Sequence, residues 1–193
     1  MTDSSKDGNL ICMKKIFFAT ANSRKIGEAI LACKDFEINV EQVLLDIVEI
    51  QAHDPILITK HKAKEAFRQI QKPVVVTDTS WNILSLNGFP GGYMKDVAEW
   101  FSAEDFIRIV TEDREKKINF TETIAYQDAN EQKIFSKTFW GVISDKPRGE
   151  GNSIEQVAQF GGYTIAERHD QGRFSHESED YVWYEFARWF KEK

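Results

Sequence analysis

Lys14-Lys15-Ile16-Phe17-Phe18-Ala19-Thr20-Ala21-Asn22-Ser23-Arg24-Lys25 decides the fold class. Its apolar run ends at small residues, the pattern of a short strand buried on both faces. Ile26, Ala29, Ile30 and Cys33 then recur at helical spacing, so residues 22–33 read as a helix. Strand, short loop, helix is the opening unit of an α/β protein.

The same alternation continues outward. Residues 36–50 mix apolar and acidic positions and should contain a second strand. Pro55 opens a helix through residue 71, with Ile58, Ala63, Ala66, Phe67 and Ile70 on its apolar side. Pro73-Val74-Val75-Val76-Thr77-Asp78 reads as a buried strand that stops at a carboxylate. The turn-rich Asn87-Gly88-Phe89-Pro90-Gly91-Gly92 precedes a helix over residues 100–110, for which Ser102 is an N-cap candidate. Residues 119–126 and 133–142 read as two strands, whose Thr-Glu-Thr and Ser-Lys-Thr patterns predict one wet face. Residues 147–151 form a loop, and residues 181–193 form a closing aromatic-rich helix.

A chain of 193 residues, 41% hydrophobic and 29% charged, fits one globular domain able to bury a core without disulfides or structural metal. Residues 1–13 read as an N-terminal extension and 14–193 as the domain. Cys12 and Cys33 lack metal-site or framework spacing, which points to a reducing, cytoplasmic location. No apolar run reaches the length of a membrane span, and the first residues lack the character of a signal peptide. A net charge of −6 sets the average surface against a nucleic-acid partner. A small phosphorylated ligand remains compatible, because a few placed cations and a metal override the global sign.

Three constellations carry chemistry. The Thr20–Lys25 loop opens a helix, where backbone N–H groups attract an anion and Lys25 adds a full charge; a capped helix start with solvated basic residues reads equally well. Asp78 sits at a strand's carboxyl end, where α/β sheets gather ligands and Mg²⁺ takes one or two carboxylates plus substrate phosphates; it also suits a turn cap. Glu49, in Asp46-Ile47-Val48-Glu49, is another acid at the end of a strand-like segment, and by itself an ordinary surface residue.

Taken together, these pieces resemble the inosine/xanthosine triphosphate pyrophosphatase family. Thr20, Asn22 and Lys25 match its T-x-N-x-x-K signature. Thr77-Asp78-Thr79 and Leu86-Asn87-Gly88-Phe89-Pro90-Gly91 match its D-[ST] strand end and L-x-G-x-P-G loop. Lys62 falls where the family carries a phosphate-side lysine, Pro147-Arg148-Gly149 where its last sheet strand turns out, and Ser175-His176 on the first two residues of its S-H-R motif. The resemblance implies an elongated mixed central sheet flanked by helices, two lobes with a cleft between them, and a homodimer. The implied activity is hydrolysis of a nucleoside triphosphate to monophosphate and pyrophosphate. Lys25 would bind the triphosphate with Thr20 and Asn22, assisted by Lys62 and Lys95. Glu49 and Asp78 would hold Mg²⁺, and one of them would orient the water. Arg148, Ser175, His176 and Glu177 would complete the substrate site. The alternatives are the same chemistry on a canonical or modified nucleotide, and a regulatory nucleotide-binding protein without catalysis.

The base-recognition end departs from the family pattern. Its G-F-G-[YW]-D-P segment is replaced by residues 149–157, which lack both the stacking ring and the aspartate. Ser175-His176-Glu177 places a carboxylate where the family has an arginine that reads a 6-oxo group. An acceptor in place of a donor predicts that inosine and xanthosine triphosphates are not strongly preferred over 6-amino nucleotides, unless Glu177 faces solvent. Trp140, Phe160, Tyr163 and Phe174 surround this segment as replacement rings or as core. Trp183, Tyr184, Phe186, Trp189 and Phe190 read as packing for the last helix or a dimer surface.

Overall fold

The computed structural model describes residues 13–52, 54–110, 116–172 and 182–193. The expected extension therefore lies outside the described residues except for Met13. The opening unit is β1 (Lys14–Ala19) followed by α1 (Ser23–Lys34), with Asn22 as the N-cap. Next come β2 (Ile38–Val43), α2 (Pro55–Ile70) and β3 (Val74–Ile83). Asp54 caps α2 and Pro55 takes the first turn, where a missing N–H costs nothing.

The short β4 (Phe89–Gly91) forms inside the expected loop. The helix expected over residues 100–110 is α4 (Ala103–Ile109), with Ser102 as its N-cap, and an unexpected helix α3 (Met94–Trp100) precedes it. The break falls at Ser102, whose side chain and that of Asp105 cap one another's backbone N–H groups and so start a new helix. The long strands β5 (Lys117–Gln127) and β6 (Gln132–Ile143) are followed by β7 (Ala158–Phe160), β8 (Tyr163–Thr164) and α5 (Ile165–Asp170). The helix α6 (Val182–Glu192) closes the chain.

Among the described residues the strands form one mixed sheet of eight, ordered β2-β1-β3-β5-β6-β7-β8, with β4 on β3. The β1 strand pairs in parallel with β2 and β3, whereas β3–β5 and β5–β6 are antiparallel. Helices cover both faces, which is why Val74, Val75 and Val76 are all fully buried. Val75, with Phe18, Ile124 and Tyr126, packs against Cys33 of α1 and Trp183 and Phe186 of α6. Val74 and Val76 pack with Ala125 against Ala63 and Ala66 of α2. Burying each such apolar side chain contributes about 1.5–3 kcal/mol. A further cluster around Trp81, Phe106, Ile118 and Phe120 builds the far end. The aromatic residues Trp183, Phe186 and Phe190 are thus core against the sheet, and burial pushes the Cys33 thiol up to about 12.

Candidate functional site

The site begins where β1 ends. Thr20 Oγ1 accepts from the Asn22 N–H at 3.1 Å, and Asn22 Oδ1 accepts from the N–H groups of Arg24 and Lys25 at 2.9 and 3.2 Å. Asn22 therefore caps its own helix and turns the chain so that Lys25 leaves the first turn toward β3. The Lys25 ammonium lies deep and donates to Thr79 Oγ1 at 3.5 Å. Burial lowers its pKa, while the charges of Asp78 and Glu122 work to raise it.

The strand carrying Asp78 does not stop there. It runs on to Ile83, because β5 pairs with it throughout, from Val74↔Gln127 to Ile83↔Ile118. Asp78 thus sits within β3, on a strand whose pairing with β1 is confined to its start at Val74 and Val75. Burial pushes its carboxyl pKa up, the charges of Lys25 and Lys62 pull it down, and the Glu49 charge pushes it up again. Glu49 is not at a strand end either, since β2 closes at Val43 and Glu49 lies in the irregular segment after it. Its carboxylate pairs with Lys62 of α2. Burial opposes ionisation of Glu49, but the hydrogen bond and charge of Lys62, with Lys95 and Lys25, hold its pKa below the usual carboxylate value.

A cavity of about 470 Å³ brings together Thr20, Asn22, Lys25, Glu49, Lys62, Asp78 and Lys95. Three lysines against two carboxylates make it locally cationic in an acidic chain. Mutual repulsion of two carboxylates beside one cavity is the donor chemistry that a hard divalent cation relieves. Among the described residues no three His, Cys, Asp or Glu side chains converge. The two carboxylates fit a cation whose remaining oxygen ligands come from substrate phosphates.

A second cavity, about 400 Å³, shares Asn22, Lys25 and Lys95 with the first. Trp81, Met94, Phe120, Ile154 and Ile165 supply its apolar wall; Arg24, Glu28, Glu122, Asn152, Glu155 and His169 its polar groups. Arg24 Nη1 lies 2.7 Å from His169 Nε2 and 3.4 Å from Glu155 Oε1. Burial and the Arg24 charge lower the His169 pKa, which favours the neutral ring.

A model of the Ham1 family matches residues 16–174. The chain belongs to the Ham1 family. This Ham1 chain is 26% identical over 182 residues to a dITP/XTP pyrophosphatase of Hyperthermus butylicus, covering 92% of this chain and 95% of that protein. It is 33% identical over 164 residues to an inosine triphosphate pyrophosphatase of Candida glabrata, covering 79% of this chain and 85% of the relative. The fold matches that of the Staphylococcus aureus Ham1 protein with a TM-score of 0.74 at 22% identity, covering 93% of this chain and 100% of that one.

Not every expected residue reaches the two cavities. Arg148 lines neither; its guanidinium faces Glu167 and the Gly162 carbonyl. Its local chain is shaped by Gly149, at φ +78, where a Cβ would come within 2.4 Å of the Glu167 nitrogen. Ser175, His176 and Glu177 lie outside the described residues, as does Phe174. Trp140 is 60% exposed and Tyr163 41%, while Phe160 is core beside Trp81 and Phe120. The rings that line the second cavity are Trp81 and Phe120 instead, 5.1 Å apart.

The wet face expected of β5 and β6 is present, with Ser136 and Thr138 exposed on it and Thr121 hydrogen-bonded to Thr138, but one of its members departs from the expectation. Thr123 is buried, its hydroxyl hydrogen-bonded to Ser136 across the ladder, and Glu122 points to the opposite face. The missed signal was a single carboxylate breaking the apolar alternation Ile118, Phe120, Ile124, Tyr126.

Proposed function

We propose that this Ham1 chain hydrolyses a nucleoside triphosphate to the nucleoside monophosphate and pyrophosphate. The carrying observation is the cationic cavity that unites Lys25, Lys62 and Lys95 with Glu49 and Asp78. The lysines bind phosphate oxygens, and the rest of the nucleotide extends into the adjoining second cavity past Lys25 and Lys95. Glu49 and Asp78 would hold Mg²⁺, whose chemistry there is to neutralise phosphate charge and make a bound water more acidic. Water oxygen attacks the α-phosphorus, the bond from that phosphorus to the bridging oxygen breaks, and pyrophosphate leaves with its charge spread over the lysines. One of the two carboxylates, Asp78 or Glu49, orients the attacking water. Lys62, paired with Glu49, would exchange that carboxylate for a phosphate oxygen when substrate binds. A purely regulatory role has no use for two acids kept beside three phosphate-binding lysines.

Residues 14–193 form the catalytic domain in this reading, working as a homodimer in the cytoplasm. None of the helices among the described residues is long and apolar enough to cross a membrane. The test is product analysis on a panel of nucleoside triphosphates with Mg²⁺. Pyrophosphate and monophosphate are expected, with release abolished by a chelator and restored by added Mg²⁺. Stepwise appearance of diphosphate and orthophosphate would refute the reaction, and undiminished release in the chelator would refute the metal.

A further inference from the structure

A guanidinium that the phosphate chemistry leaves unused reaches across the second cavity. Arg24 lies in the first turn of α1, and its Nη1 meets His169 of α5 and Glu155 in the segment before β7. A guanidinium only donates, so His169 Nε2 accepts at 2.7 Å and Glu155 Oε1 at 3.4 Å. Glu155 is itself tied down. Its N–H donates to Asn152 Oδ1, its Oε2 accepts from the Asn152 N–H, and its carbonyl accepts from the Ala166 N–H. All the Arg24 side-chain contacts fall on Nη1. Among the described residues Nε and Nη2 have no hydrogen-bond partner, and the side chain stays 44% exposed. Arg24 lines the second cavity and not the first, whereas Lys25, the next residue, lines both. A ligand whose phosphates reach Lys25 from the first cavity therefore brings its other end, not its phosphates, to Arg24. Trp81 and Phe120 supply an apolar wall there, and an apolar wall beside a few fixed polar groups is what orients a small ligand.

We propose that Arg24 is a specificity-determining residue whose Nε–Nη2 edge donates to the 6-oxo oxygen and N7 of a purine base lying against Trp81 and Phe120. The inference rests on the nucleotide-hydrolysis reading for its ligand and goes beyond it in naming the selecting group. Hypoxanthine, xanthine and guanine all present two acceptors on that edge, whereas adenine presents one acceptor and an amino donor. The planar guanidinium fork matches the first pattern. Against adenine it sets donor to donor and leaves both unpaired. Glu155 and His169 hold the fork in place from its other edge, so the discrimination needs no reordering of the side chain. The preference is opposite in sign to the one drawn from Glu177, which lies outside the described residues.

The test is calorimetric binding of inosine and adenosine monophosphates, with Mg²⁺, to the wild type, Arg24→Gln and Arg24→Lys. The wild type is expected to bind the inosine nucleotide about tenfold more tightly, the scale of one bidentate base-edge contact. Arg24→Gln, whose amide can turn to donate or to accept, should bring the ratio of the two Kd values close to one. Arg24→Lys keeps the charge and loses the planar fork. Its ratio should also fall, while its affinity for the adenosine nucleotide stays near that of the wild type. Either variant decides the matter if the other does not fold. A wild type that binds neither nucleotide or shows no inosine preference overturns the proposal, as does an unchanged ratio in a folded variant. An equal loss for both nucleotides also overturns it, because it would assign Arg24 to the phosphate. Pyrophosphate release is followed in parallel. Its absence from a wild type whose nucleotide preference still depends on Arg24 would retract the hydrolytic reading and leave the base-selecting role standing.

Discussion

Asp78→Asn lowers the turnover of pyrophosphate release by roughly two to four orders of magnitude, the range for loss of a positioned acid or base. The substitution keeps the side chain's shape inside β3 and removes its charge. On the proposed function the substitution removes a ligand for the cation or a group that orients the water, and it removes the charge facing Lys25. The fold should survive. Strand β3 is held by its ladder to β5 and not by the Asp78 carboxylate. Burial already penalises that carboxylate, and the nearby Glu49 charge adds to the penalty, so a neutral amide costs little. Steady-state turnover alongside thermal melting checks both halves. A folded variant turning over at near the wild-type rate would take Asp78 out of the chemistry.

Glu122→Gln should change the stability of the protein in a pH-dependent way. The Glu122 pKa rises from an ordinary 4.5 to about 7 on folding, chiefly by burial. The native state therefore binds this proton more tightly than the unfolded chain. Below about pH 4.5 both states are protonated and nothing is lost. As pH rises from there through 7 the unfolded state ionises first, and native stability falls. By pH 8 the loss approaches about 3 kcal/mol, at 1.36 kcal/mol for each pH unit separating the two values. Glutamine has no proton to lose, so its stability relative to wild type should improve by about that amount between pH 4.5 and pH 8. Urea unfolding of both proteins at the two pH values measures it. Any fixed cost of burying the amide cancels in the comparison, as do the other titrating groups to the extent that they are independent of Glu122. A difference that stays constant with pH would show that the carboxyl is not carrying a buried charge.

The fold class was legible because it rests on local period. The Ile16–Ala19 run, the helical spacing of Ile26, Ala29, Ile30 and Cys33, and the Val74–Val76 run each announce an element by side-chain pattern alone. So do caps that act within a few residues: Asn22 accepts from its own helix, and Pro55 opens the next one. The reading missed β4, α3, β7, β8 and α5, which are short and carry little periodicity. It also ended β3 five residues early. Whether a strand continues past an acid depends on its neighbour, and β5 supplied that neighbour from more than thirty residues away.

The candidate phosphate- and metal-binding residues Lys25, Glu49, Lys62, Asp78 and Lys95 were named from local context and the family resemblance. That they face one cavity is a tertiary fact, produced by α1 and α2 flanking the sheet at the end of β1. The other end was not legible. Residue alternation puts Glu122 and its threonine neighbours on opposite faces of β5, but which face is wet depends on what packs there. Only the folded sheet, with α1 and its charges laid across it, decides that the carboxylate goes inward and Thr123 is buried on the other side. Periodicity assigns side chains to faces, whereas burial is assigned by elements far away in sequence; that is why the sequence by itself determined most of the elements and a set of candidate residues, and the tertiary structure alone decided which of those candidates share a cavity.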